Sequence, residues 1–175
     1  MSADDQSQDI VYSLAPSPSF ARDSICFAGC RSGLLRSDDG GITWRSTYEA
    51  LNLGAPLVTT AVTVSPAFDS DHSVFAGVPG GILRSVNGGE SWYFAVLPSP
   101  PPMISALAAS PDFSKDGTLL AGTVEDGVYC SVDRGARWSA WNFGLLDLSV
   151  LCVAISPNFA DDETVFVGTD CGLFH

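Results

Sequence analysis

Apolar residues in this chain fall in short runs, each broken by Gly, Pro, Asp or Ser. Val58 to Val64, Ile104 to Ala109 and Ile25 to Ala28 are typical. Such runs are too short for stable helices. They are rich in β-branched and aromatic residues and bounded by turn formers, so they predict strands. They also recur in register. Ser-Pro stands at Ser17-Pro18, Ser65-Pro66, Ser110-Pro111 and Ser156-Pro157, in steps of 48, 45 and 46 residues. Each is followed by a phenylalanine (Phe20, Phe68, Phe113, Phe159) and then an aspartate (Asp23, Asp71, Asp116, Asp162). Next comes an apolar run ending in Gly29, Gly77, Gly122 or Gly168, and a second glycine (Gly33, Gly81, Gly127, Gly172) opens the run after it. Complete units close on Trp44, Trp92 and Trp138.

One unit therefore holds four strands: one leading into Ser-Pro, one over about Ile25–Ala28, one over about Leu34–Ser37, and one starting near Thr43 and Trp44. Four strands in about 45 residues is the size of a propeller blade. A lone blade cannot bury both of its faces, so blades stack. The fold class is all-β: three complete blades of four antiparallel strands and a three-stranded fourth. The expected boundaries are 10–56, 57–102, 103–149 and 150–175, after a disordered tail over 1–9. His175 aligns with Arg36 and Arg84, one residue before a fourth closing turn. The 16 residues before Ser17 are too few to supply the missing strand, because Trp44 lies 21 residues before Ser65. The run Leu97-Pro98-Ser99-Pro100-Pro101-Pro102 is expected to be a stiff connector.

Between the third and fourth strands lies Ser37-Asp38-Asp39-Gly40-Gly41-Ile42-Thr43-Trp44. It is repeated with Ser85, Asn87, Gly89 and Trp92, and with Ser131, Asp133, Gly135 and Trp138. Short Asp and Asn side chains fold such a turn by accepting bonds from nearby N–H groups, the glycines tolerate positive φ, and the tryptophan supplies buried area. The three indoles are expected in equivalent buried sites. The turn resembles the Asp-box, or bacterial neuraminidase repeat. The first copy matches fully, the second has Asn87 and Ser91 for Asp and Thr, and the third departs with Arg137 at the Thr position. The resemblance spans residues 10 to 175 and implies a propeller like those of sialidases, propeller glucanases and photosystem II assembly factors. In such families the box is structural, so Asp39 and Asp133 are expected to be fold residues and not catalytic groups.

The net charge of −12 disfavours nucleic acid and anionic membranes. No apolar run approaches the length that spans a bilayer. The start, Met1-Ser2-Ala3-Asp4-Asp5, has no apolar core, so the expectation is a cytoplasmic protein whose five cysteines are reduced. Cys26 and Cys152 are expected in the core. No metal site or cofactor is expected, since no EF-hand pattern follows the acidic turns.

The Ser-Pro loops and the boxes share one face and hardly vary between units. The loops between second and third strands, together with the inter-blade connections, do vary, and loops on rigid scaffolds commonly carry function. Candidate binding residues there are Arg31, Tyr48, Tyr93, Glu125, Asp126, Trp141 and Asp170, with Tyr48, Tyr93 and Trp141 read as exposed aromatics. No catalytic residue is assigned: the resemblance to sialidases implies an arginine cluster and an Arg-Ile-Pro signature, which this chain lacks. The expected function is a non-catalytic scaffold or protein-binding module. The alternative is a glycan-binding or glycoside hydrolase propeller fragment. The expected partner is a protein, with a glycan as the alternative, or a second copy joined head to tail to complete a ring.

Overall fold

The computed structural model describes residues 9–97 and 102–175. The expected disorder of residues 1–8 and the stiffness of residues 98–101 fall outside these. Four antiparallel sheets follow one another along the chain, of four, four, four and three strands. The first blade is β1 (Val11–Pro16), β2 (Cys26–Cys30), β3 (Gly33–Ser37) and β4 (Arg45–Ser46). The second is β5 (Ala61–Val64), β6 (Val74–Val78), β7 (Gly81–Ser85) and β8 (Tyr93–Val96). The third is β9 (Met103–Ala109), β10 (Leu119–Val124), β11 (Gly127–Ser131) and β12 (Ser139–Ala140). The fourth is β13 (Val150–Ile155), β14 (Val165–Thr169) and β15 (Gly172–Phe174). Strands pair in chain order within each sheet, and the first strands of neighbouring blades pack on each other. This is the expected partial β-propeller.

Successive residues of a strand point to opposite faces, and here both faces are apolar. Phe27 and Leu34 of the first blade pack with Val74, Ala76 and Leu83 of the second. Phe75 and Ile82 of the second pack with Leu119, Ala121 and Tyr129 of the third. Leu120 and Val128 of the third pack with Val165 and Val167 of the fourth. In the first three blades, the glycine near the end of the second strand has its reason in the same stacking. A Cβ on Gly77 would lie 2.5 Å from Ile104, one on Gly122 2.6 Å from Val150, and one on Gly29 2.9 Å from the Thr59 carbonyl oxygen. In each case the obstructing residue belongs to the next blade or to the connection entering it.

After each Ser-Pro the chain makes one helical turn, at Phe20–Asp23, Phe68–Asp71, Phe113–Asp116 and Phe159–Asp162. A left-handed residue ends each turn: Ser24, His72, Gly117 or Glu163. Sequence patterning predicts loops here, because a single helical turn is too short to show periodicity. The turn aims its phenylalanine at the preceding blade. Phe68 meets Phe27 edge-on at 5.9 Å, and Phe113 meets Phe75 at 5.6 Å.

Three expectations need correction. The indoles are not equivalent: Trp92 is buried and its Nε1 donates to the Thr47 carbonyl of the first blade at 3.0 Å, whereas Trp44 and Trp138 are half-buried and donate to Gly41 and Gly135 in their own boxes. Trp44 packs on Ala28, Cys30 and Leu35, a blade face with no described neighbour beyond it. Cys152 is exposed, because among the described residues β13 has a neighbouring blade on one side only, and Cys26 is half-buried. Asp9, assigned to the tail, accepts hydrogen bonds from the backbone N–H and hydroxyl of Ser32.

Trp92→Ala should cost about 3–5 kcal/mol, as large-to-small changes in a core do, and Trp44→Ala distinctly less. Urea denaturation of the two variants beside the parent checks this, and equal losses would contradict the inter-blade placement of Trp92.

Candidate functional site

The two ends of the blades are built differently. At one end, every unit repeats a single hydrogen-bonded knot. The hydroxyl of Ser17, Ser65, Ser110 or Ser156 donates to Asp23, Asp71, Asp116 or Asp162 at 2.5–2.7 Å. The other oxygen of each aspartate accepts the N–H two residues on, at 2.8–2.9 Å. The Asp box docks on this knot: Gly40, Gly88 and Arg134 donate their N–H groups to the carbonyls of Ser24, His72 and Gly117 at 2.9–3.0 Å. The Ser-Pro loops and boxes therefore do share one end, with their polar groups directed into each other.

Within the first box, Asp39 accepts from the Ser37 hydroxyl (2.8 Å), the N–H groups of Ile42 and Thr43 (3.0 and 2.9 Å) and the Thr43 hydroxyl (2.6 Å). The Thr43 hydroxyl and N–H, then Ser37, hold its carboxyl down to about 2. In the third box, burial pulls Asp133 upward, but the Arg137 N–H and the Ser131 hydroxyl outweigh it and leave the group below the usual carboxylate range. A carboxylate held ionised by its own turn is a poor general acid.

At the other end stand the variable loops. Arg31, Glu125 and Asp170 are exposed in the β2–β3, β10–β11 and β14–β15 loops. Asp126 is half-buried. Its carboxylate accepts from Tyr129 at 3.1 Å, and its carbonyl accepts from the Asn142 side chain at 3.1 Å. Burial, followed by the hydrogen bond and charge of Asp126, pushes the Tyr129 hydroxyl up. Trp141 is 46% exposed in the connection after β12. Two aromatics depart from expectation. Tyr48 is 6% exposed, stacked edge-on against Trp92 at 5.5 Å, with its hydroxyl 2.8 Å from that of Thr59. It is an inter-blade core residue, and burial pushes its hydroxyl well above the usual range. Tyr93 is 64% exposed but opens β8 opposite Arg84, at the box end of its blade. The structure thus keeps Arg31, Glu125, Asp126 and Asp170 at the loop end of the blades and removes Tyr48 and Tyr93 from it, while the Trp141 side chain lies on the outer rim among Lys115, Phe159 and Glu163 of the Ser-Pro turns.

Two residues not singled out from the sequence fix the long connection between the third and fourth blades. The Asn142 side-chain oxygen accepts the Val128 N–H at 2.8 Å. Asp147 accepts the N–H groups of Ser149 and Cys171 at 3.1 and 3.0 Å. Bonding from Ser149, then Thr169, keeps Asp147 below the usual carboxylate range. Between these anchors, Phe143 and Leu146 stand out almost wholly exposed. No repeat position marks Asn142 or Asp147, so spacing could not have found them. Among the described residues, no three His, Cys, Asp or Glu side chains gather to hold a metal ion, and no helix is long and apolar enough to cross a membrane.

Residues 35–46 match the family model described as BNR/Asp-box repeat. No curated protein matches the sequence. Among solved structures, an ancestral GH74 enzyme is similar with a TM-score of 0.69 and 19% identity, over 90% of this chain and 21% of its own. YCF48 bound to D1 peptide is similar with a TM-score of 0.63 and 17% identity, over 93% of this chain and 49% of its own. The computationally designed Ika4 protein has a TM-score of 0.62 and 18% identity, over 96% and 92%. The chain spans about a fifth of the GH74 enzyme and about half of YCF48. At these identities the likeness is one of fold: the chain carries the BNR/Asp-box repeat on the blades of a partial β-propeller.

Folding lowers the Asp39 pKa beneath its unfolded value of about 3.9. The stability it contributes is complete above about pH 5 and is lost as pH falls towards 2. Asp39→Asn should therefore flatten the fall of melting temperature between pH 5 and pH 2, followed by circular dichroism. An unchanged slope would show that the carboxylate is not held by its turn.

Proposed function

We propose that this chain is a non-catalytic scaffold or protein-binding module that meets its partner with the end bearing Arg31, Glu125, Asp126 and Asp170, together with Trp141 on the adjoining rim. The observation that carries this reading is the asymmetry of the two ends. Polar groups at the box end are bound up in the same knot four times over, whereas the other end presents charges that differ from blade to blade on a scaffold fixed by Asn142 and Asp147, with the half-exposed Trp141 indole on the adjoining rim. Exposed Trp and Arg are common anchors of protein interfaces. YCF48 bound to D1 peptide supports the reading as a fold-level analogy.

A second copy is a further proposed partner. Phe166 is 41% and Leu173 is 72% exposed, whereas the equivalent Phe75 and Ile82 are fully buried against the next blade. At the other end of the arc Leu14 is 66% exposed, whereas its equivalent Val62 is buried. These two faces match the two sides of every internal blade contact, so head-to-tail joining of two copies would repeat a packing the chain already uses three times. Exposed apolar faces of this kind favour association.

Sedimentation at micromolar concentration should give a dimer for the parent and a monomer for Leu14→Asp and Phe166→Asp. A monomeric parent would remove the second copy from this account. For the loop end, the triple variant Arg31→Glu, Glu125→Lys, Trp141→Ala should lose a partner recovered from the native host while keeping its melting temperature. Retained capture, or turnover of an aryl glycoside that is lost on Glu125→Gln or Asp126→Asn, would overturn the binding reading.

A further inference from the structure

Arg36 and Arg84 hold the same place in successive blades. Each precedes its box serine on the third strand, opposite a phenylalanine of the second strand, Phe27 or Phe75. Cross-strand partners share a face, so both arginines face the next blade, as those phenylalanines do. Arg36 is fully engaged there. Its Nε and Nη2 donate to Asp38 at 2.8 and 2.5 Å, and its Nη1 donates to the Gly88 carbonyl in the box of the second blade at 2.6 Å. Arg45, from the neighbouring strand, donates to the other Asp38 oxygen at 3.3 Å.

Arg84 has neither partner. Val86 stands where the first blade has Asp38, and Tyr93 where it has Arg45. Arg134 stands where the second box has Gly88. A Cβ on Gly88 would lie 2.5 Å from the Arg36 Nη1, so the Cβ of Arg134 blocks the same pose for Arg84. The Arg84 Nε is buried without a hydrogen-bond partner, and no hydrogen bond or ion pair joins the guanidinium to another described residue. A buried donor on a charged group is costly to leave unpaired. Arg134 offers no relief: it is a second cation, and its guanidinium donates to the Ser114 carbonyl and lies over Phe113. The group missing from this site is a carboxylate.

The surroundings point to the kind of carboxylate. β4 and β12, the outer strands of the first and third blades, have two residues each, whereas β8 has four. Tyr93, Phe94 and Val96 of β8 are exposed, and so is Val86 beside them. Apolar surface next to a half-buried guanidinium suits a polypeptide, which can cover the one while its acid pairs with the other. The net charge of −12 opposes a multiply charged anion such as phosphate more than a single carboxylate.

We propose that Arg84 receives an aspartate or glutamate side chain of a partner protein, which packs on Val86 and Tyr93 at the outer rim where the second and third blades meet. The incoming carboxylate takes the place that Asp38 holds beside Arg36. The proposal goes beyond the loop-end reading and is independent of it, since Arg31, Glu125, Asp126 and Asp170 play no part.

The probe is the peptide acetyl-Ser-Val-Asp-Val-Ser-amide, compared with its Asn form and with inorganic phosphate. Binding to the full chain is read by NMR from the Arg84 Nε–H and Tyr93 ring resonances. The Asp peptide should shift both saturably, with half-saturation below ~10 mM, and the Asn form should bind at least ~10-fold more weakly. Arg84→Gln should abolish the shift at Tyr93. Val86→Asp supplies the carboxylate from within. Without peptide it should move the Arg84 Nε–H resonance towards that of Arg36, and it should weaken the Asp peptide at least ~10-fold. Val86→Asn should do neither. Arg31→Glu and Glu125→Lys should leave binding unchanged, which separates this site from the loop end. Absence of a saturable shift, equal affinity for the two peptides, phosphate binding as tightly as the Asp peptide, or an Arg84 resonance unmoved in Val86→Asp would each overturn the proposal.

Discussion

Each blade is a thin sheet with two apolar faces, and a sheet of four short strands can hide those faces only against another sheet. That constraint explains the parts of the sequence that repeat most faithfully. The residues of β6 and β10 alternate between the preceding and following interfaces, so these strands read as continuous apolar runs and not as alternating ones. The glycine that ends them is small because the next blade presses on it. The phenylalanine after Ser-Pro reaches back to the blade before. Removing a blade from one side should loosen every one of these groups, and the ends of the arc show this directly: Phe20, Leu14, Phe166 and Leu173 are exposed, while their counterparts inside the arc are buried or partly buried.

The Asp box and the Ser–Asp knot solve a second problem. Tight turns leave backbone N–H groups without partners, and a buried or crowded N–H left unpaired is costly. Ser37, Ser85 and Ser131 each donate to an acid or amide and also accept the N–H of the box glycine, at 2.8–2.9 Å. Arg36 extends this network across blades, donating to the Gly88 carbonyl at 2.6 Å while its guanidinium lies over Phe27. One end of the scaffold is thereby made rigid with polar groups turned inward. On the proposed reading, this leaves the opposite end and the outer rim to meet partners.

Much of the architecture was legible because repetition compares the chain with itself. Four copies of Ser-Pro-x-Phe and three boxes place blades and turns without any knowledge of contacts. What repetition hides is position within the arc. Trp44, Trp92 and Trp138 are the same letter in the same motif, yet the Trp92 indole donates to a carbonyl of the neighbouring blade, whereas those of Trp44 and Trp138 donate to carbonyls of their own boxes. Cys152 sits in an apolar run and is exposed because its face lacks a neighbour. Tyr48 and Tyr93 were indistinguishable as aromatics near a box, although one stacks between blades and the other faces solvent at the box end. Asn142 and Asp147 occur in one connection only, so they leave no periodic trace. The candidate binding end was therefore legible as a set of loops, but its membership depended on which side chains the stacking had already claimed.

The most direct measurement of the central claim compares two substitutions by chemical denaturation: Phe75→Ala, which empties the interface between the second and third blades, and Val132→Ala, on the exposed surface of a box. If blade-on-blade burial holds the fold, Phe75→Ala costs about 3–5 kcal/mol and Val132→Ala stays within about 0.5 kcal/mol of the parent. A loss below about 1 kcal/mol at Phe75 would mean that the blades do not depend on one another, and the account would fail.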